Sequence, residues 1–185
     1  ISSRGTAMGM ADNSIVYIND GAEISGNYSS YNGGCIYNNG GTITMNGGKI
    51  KNNYAVRTNG TAIMLHQNNA TFIMNGGEIC SNSGLPAEGA GHCCAIYLHS
   101  TGIMIMNGGS ICHNTGMTNG GVMVMNSTAK LTVTGGYIGE NENLYAKNPN
   151  FGSLDLILGH ADILNFASAK ISGGTFTQDV TEYCE

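Results

Sequence analysis

His66 and His99 are the residues whose type and spacing first suggest chemistry. Each closes a near-identical phrase, "AIMLH" at 62–66 and "AIYLH" at 95–99. Imidazoles in equivalent places of a repeat would stack. Asn39 and Met125 would extend that column, and Met64 and Tyr97 would flank it. Such a pair either shares an ion or ligand, or is two surface histidines in like positions. No carboxylate or cysteine is placed as a third ligand, so no metal is assigned. His92, His113 and His160 are scattered and read as surface.

Cys80 and Cys112 each follow an isoleucine in equivalent phrases, "GEICSN" and "GSICHN". Neighbouring strands lie within the Cα range of a disulfide, so the pair is either bridged or two free thiols. A bridge would imply export. Cys35, Cys93, Cys94 and Cys184 have no evident partner. His92 beside Cys93 and Cys94 invites a thiol-nucleophile reading, but sequence neighbours rarely form a catalytic dyad.

Carbohydrate chemistry would need paired or clustered carboxylates. The aspartates are Asp12, Asp20, Asp155, Asp162 and Asp179. None shares an outward column with another in adjacent repeats, and the two arginines, Arg4 and Arg57, have no carboxylate cluster nearby. No catalytic residue and no cofactor are assigned. The net charge of −5, with seven scattered basic residues, leaves no basic stripe for nucleic acid. No apolar run reaches the length of a membrane-spanning helix.

What positions these residues is a repeat. "ITMNGGKIKNN" at 43–53 returns as "FIMNGGEICSN" at 72–82, "MIMNGGSICHN" at 104–114 and "LTVTGGYIGEN" at 131–141. Residues 5–27 lie on 60–82 without a gap. The period is roughly thirty residues, the mark of a solenoid. Each repeat holds three short pieces rich in β-branched or aromatic residues, separated by Gly, Asn, Ser or Thr. One repeat cannot bury a face alone, whereas stacked repeats can.

The expected fold is all-β: a single parallel β-helix over 1–185, with about six rungs of three strands. The rungs fall near 5–27, 33–53, 60–82, 92–114, 119–141 and 153–177, with a tail at 178–185. Stacked at about 4.8 Å per rung, the column is roughly 25–30 Å tall. Ile24, Ile50, Ile79, Ile111 and Ile138 should form one inward ladder, and Ile43, Phe72, Met104 and Leu131 another. Met45, Met74, Met106 and Val133 lie beside the second. The double glycines should turn corners. Asn27, Asn53, Asn82, Asn114 and Asn141 should form an amide ladder. The last repeat keeps Gly173 and Gly174 but lacks the closing Asn.

The "MNGGxIxxN" phrase, preceded by "AIY" or "CIY", resembles the right-handed parallel β-helix repeats of bacterial surface proteins, adhesin-like and polymorphic outer-membrane-type. The resemblance covers nearly the whole chain and rests on structural residues. It implies a right-handed β-helix and a secreted, cell-surface or extracellular setting.

The expected function is a non-catalytic structural or adhesive module that binds a host or environmental glycan or protein. It neither binds nucleic acid nor inserts in a membrane. Two insertions, 83–92 and 142–153, could carry recognition, with Tyr145, Asn148 and Phe151 as contacts beside His66, His99 and Tyr97. Outward Ile73, Ile103 and Ile105 form a second candidate surface. Two alternatives stand: a polysaccharide lyase or hydrolase, which needs a carboxylate cluster in a cleft, and a head-to-tail fibre subunit, joined through open rung edges. The tail, with Asp179, Glu182 and Glu185, could instead blunt the far edge.

Overall fold

The computed structural model describes residues 7–30, 33–56, 59–85, 94–116, 120–143, 163–165, 168–177 and 179–184. Among them the chain is a parallel β-solenoid. Every strand pairs with its counterpart one repeat away, always parallel.

The first sheet stacks Met8–Met10, Ile36–Asn38, Gly60–Leu65, Cys94–Leu98, Val122–Val124 and Ile163–Asn165. The second stacks Ile15–Ile18, Thr42–Met45, Thr71–Met74, Ile103–Met106, Lys130–Val133 and Ser168–Ile171. The third stacks Glu23–Ser25, Lys49–Lys51, Glu78–Cys80, Ser110–Cys112, Tyr137–Gly139 and Thr175–Phe176. Three sheets of six strands are the six expected rungs. The expectation of three strands per rung is short by one. A fourth, five-stranded sheet joins Tyr28–Ser29, Tyr54–Val56, Ser83–Leu85, Thr115–Gly116 and Glu142–Asn143. These strands are only two or three residues long, and beyond the stacked pair Tyr28 and Tyr54 no residue type carries through all five, so the repeat is faint.

Register follows the inward ladders. Ile24, Ile50, Ile79, Ile111 and Ile138 are successive partners, ending on Phe176. Val16, Ile43, Phe72, Met104, Leu131 and Ala169 form the second ladder. Its central members are fully buried and belong to one continuous core. A one-residue slip would turn each strand's apolar set outward, so burial on one face fixes the register.

The two glycines of each pair serve different needs. The second has positive φ, as at Gly48, Gly77, Gly109, Gly136 and Gly174. The first lies against the rung before it: a Cβ on Gly76 would come 2.6 Å from the Asn46 carbonyl oxygen, and one on Gly108 2.7 Å from that of Asn75. Thus the pair turns the chain and lets backbones approach.

The closing asparagines form the expected ladder, and it is buried. Asn82 Oδ1 accepts from Asn53 N at 3.1 Å and Asn53 Nδ2 at 2.9 Å. Asn82 Nδ2 donates to Asn114 Oδ1 at 2.9 Å and to the Ile50 carbonyl at 3.0 Å. The pattern runs from Asn27 to Asn141. The residue before each of these asparagines is left-handed: Gly26, Asn52, Ser81, His113 and Glu140. A second, exposed row runs through the residues before the glycine pairs. Asn46, Asn75 and Asn107 each donate from Nδ2 to the amide oxygen of the preceding rung, and Thr134 Oγ1 donates to Asn107.

Candidate functional site

The histidine column exists. Backbone bonds from His66 N to Asn38 O, His99 N to Leu65 O and Met125 N to Leu98 O set Asn39, His66, His99 and Met125 one above another. The imidazoles stack with centroids 5.0 Å apart and planes 5° from parallel. Asn39 Oδ1 lies 3.0 Å from His66 Nδ1, within hydrogen-bond distance. His99 Nδ1 pairs with Ser100 Oγ at 2.9 Å. A nitrogen lone pair lies in its ring plane. Two stacked, near-parallel rings with centroids 5.0 Å apart do not aim their in-plane lone pairs at one ion at the usual bond length of about 2.0 Å. The stack therefore suits packing, or the flat face of a ligand, better than shared metal coordination. Among the described residues no group of three or more His, Cys, Asp or Glu is gathered closely enough to hold a metal ion.

Tyr97 lies beside His99, with ring centroids 6.0 Å apart, but it is not on the accessible surface. It is buried with Tyr37, Met64, Cys94 and Met123 in a second apolar cluster, on the outward face of the first sheet. Burial, then the nearby Cys94, raises the Tyr97 hydroxyl above the usual tyrosine range. The sequence held a signal for this: "CIYN", "AIMLH" and "AIYLH" do not alternate polar with apolar, as expected of a strand covered on both faces. Cys94 is fully buried, and its thiol donates to carbonyls of Asn59 and Ile96. That placement does not suit an exposed nucleophile. Tyr145, Asn148 and Phe151 lie outside the described residues, as do His92, Cys93, His160, Arg4, Arg57, Asp155 and Asp162.

Cys80 and Cys112 are direct register partners on the third sheet. Both are half-buried free thiols, and burial is the main cause holding each above the usual cysteine range. Cys35 is pushed up to about 12 by burial, against an opposing hydrogen bond from Asn27.

Asp20, Glu23, Lys49 and Glu78 line a shallow cleft of about 380 Å³ where the second sheet turns into the third. Lys49 Nζ lies 2.9 Å from Glu78 Oε2, and Lys51 Nζ 3.1 Å from Glu23 Oε2. Hydrogen bonds from Ser25 and then Lys51 hold the Glu23 carboxyl below its ordinary value. A general acid needs its pKa raised towards working pH, so Glu23 is built as an ion-paired carboxylate. The signal for this cleft was the alternating charge of Glu23, Lys49 and Glu78 at one repeat position.

The second sheet presents an outward face in register over all six of its strands. Its outward pairs are Ile15 with Tyr17, Thr42 with Thr44, Thr71 with Ile73, Ile103 with Ile105, Lys130 with Thr132, and Ser168 with Lys170, all in register. Ile15 and Tyr17 are 66% and 65% exposed, and Ile73, Ile103 and Ile105 are half-exposed. The chain matches no known protein-family model, no curated protein and no solved structure.

Proposed function

We propose that this chain is a non-catalytic structural and adhesive module, working outside a cell or on its surface, that holds a glycan or protein partner against a rigid face. The observation that carries this reading is the outward face of the second sheet. Hydroxyl and apolar side chains, with Lys130 and Lys170 towards one end, stand there in two columns, about 4.8 Å apart along the stack and about 6.6 Å apart along each strand. A surface preordered by the stack loses little conformational entropy on binding. The mix of Thr, Ile and Tyr suits the alternating polar and apolar faces of a sugar chain, or a protein strand of like pattern. The resemblance of the repeat phrase to bacterial surface repeats supports the same setting.

The test is a panel of soluble polysaccharides and extracellular-matrix proteins, scored for retention and for new chain ends. The expected result is retention without cleavage, lost in an Ile15→Lys, Tyr17→Ser, Ile105→Lys variant that melts normally. Release of shortened or unsaturated sugar products would replace this reading with a lyase or hydrolase.

A further inference from the structure

Charge is unevenly spread over the outward face of the second sheet. The chain has twelve acidic and seven basic residues, yet the outward positions of this sheet hold two lysines, Lys130 and Lys170, and no carboxylate. Both lysines are exposed. Lys130 is the register partner of Ser168, and Thr132 that of Lys170, so the two cations are diagonal neighbours on the fifth and sixth rungs. Their Cα atoms lie about 8 Å apart, from a strand spacing of about 4.8 Å and a two-residue rise of about 6.6 Å. Among the described residues, the corners on either side of this face carry carboxylates at the first rung alone, at Asp12 and Asp20. Glu23 and Glu78, beyond the corner on the third sheet, are ion-paired with Lys51 and Lys49. The face is therefore positive at its far end, and its apolar and hydroxyl columns lead from there back to the exposed Tyr17.

We infer that this face takes a linear acidic polysaccharide, laid along the stack with an anionic group at Lys130 and Lys170. The inference rests on the reading of this face as the binding surface, and it names the class of ligand selected there. A sugar chain fits better than an acidic protein segment. An extended peptide joins a sheet through its backbone at an open edge, whereas the inner strands here are paired on both sides and offer side chains only. Thr42, Thr44, Thr71 and Thr132 share the columns with Ile73, Ile103 and Ile105. That mixture matches a pyranose ring, which has hydroxyls at its edges and C–H groups on its faces. A β-linked pyranose chain advances per sugar by nearly the rung spacing of about 4.8 Å, so successive rings meet successive rungs. A lysine ammonium meets a carboxylate or sulfate as a point charge on a flexible stem, so it needs no single ligand geometry.

The test uses the full chain and two oligosaccharides of equal length, β-1,4-glucuronan and cello-oligosaccharide. They differ only in carrying a carboxylate or a hydroxymethyl group on each ring. Titration calorimetry should find the glucuronan bound about tenfold more tightly at low ionic strength, with the preference fading as salt screens the exposed charges. Lys130→Gln combined with Lys170→Gln should erase the preference and leave the affinity for the neutral chain unchanged, and a melting curve checks the fold. Tyr17→Ser should weaken both sugars. Equal affinity for the two sugars, or a preference that survives the lysine substitutions, would overturn the inference, and the face would stand as the binding surface if Tyr17→Ser still weakened both. Poly-glutamate bound as tightly as glucuronan, with the same loss in the lysine variant, would also overturn it and assign the face to an acidic protein. Binding of neither sugar would overturn the inference and leave a protein as the partner. Binding that neither Tyr17→Ser nor the lysine substitutions alter would overturn both the inference and the surface on which it rests.

Discussion

Asn82 shows what one side chain contributes to this column. It is fully buried, yet its amide oxygen accepts two hydrogen bonds and its amide nitrogen reaches both neighbouring rungs. Replacing it with alanine strands the Asn53 N–H and the Ile50 carbonyl in the interior, at about 1–3 kcal/mol for each unsatisfied group. Asn75 makes a similar rung-to-rung bond in the exposed row, where water replaces whatever is removed. Urea unfolding should therefore show Asn82→Ala losing about 3 kcal/mol or more and Asn75→Ala less than about 1 kcal/mol. Equal losses would mean that the buried ladder is not an energetic feature of the fold. Both rows recur in the sequence. What the sequence did not reveal is which row is buried, because that depends on where the chain turns. The left-handed residue before each closing Asn, such as Ser81 or His113, swings its amide inward, and those residues share no type.

At the scale of an element, the corner between the second and third sheets separates two demands on glycine. Gly21 and Gly77 have nearly the same φ, 82° and 85°. A Cβ on Gly21 meets nothing within 4 Å, whereas one on Gly77 comes 2.7 Å from the carbonyl oxygens of Gly47 and Gly48. Gly21→Ala should cost the left-handed strain alone, about 1 kcal/mol. Gly77→Ala adds a clash with backbone that cannot rotate away, for about 2–4 kcal/mol in all. Thermal melts of the two variants measure the difference, and matching values would remove close packing of rungs as a reason for the glycine pairs. The corners, the inward isoleucines and the second-sheet register were legible because stacking forces like residues into like places. The fourth sheet was not. Its inward residues, Ser29, Ala55, Gly84, Gly116 and Asn143, have in common only that they are small or polar. The candidate sites divide in the same way. The His66–His99 and Cys80–Cys112 pairs follow from register alone. The burial of Tyr97 depends on what lies over the outward face of the first sheet, which spacing along the chain does not encode.

At the scale of the whole molecule, a solenoid is decided at its ends, because each rung touches only its neighbours. In the first rung Val16 and Ile24 are partly exposed, where their partners Ile43 and Ile50 are fully buried. The sixth rung is covered differently. Its last strands run into a short 3-10 turn, Thr181–Tyr183, that lays Val180 against the core and pairs Cys184 with Ile171. Asp179 fastens this turn by accepting from Thr181 N at 3.0 Å and Thr181 Oγ1 at 2.7 Å. These bonds hold its carboxyl below the ordinary value of 3.8. Because the folded pKa is depressed, the contribution is fully present above that ordinary value and is lost as pH falls through the lower folded one. Protection of the Cys184 N–H, which donates to Thr181 O, measured as its exchange rate relative to the unfolded chain at the same pH, should fall only in strongly acid solution. Removing residues 178–185 should have the larger effect, since it uncovers Ile171 and Phe176 together with the last strands of their sheets, Ser168–Ile171 and Thr175–Phe176. An open apolar strand edge is a template for another copy. Light scattering across a concentration series should therefore find the full chain at constant mass and the shortened chain growing with concentration. A shortened chain that stays monomeric throughout would show that the last rung resists pairing by its own residues and that the tail is not what covers the edge.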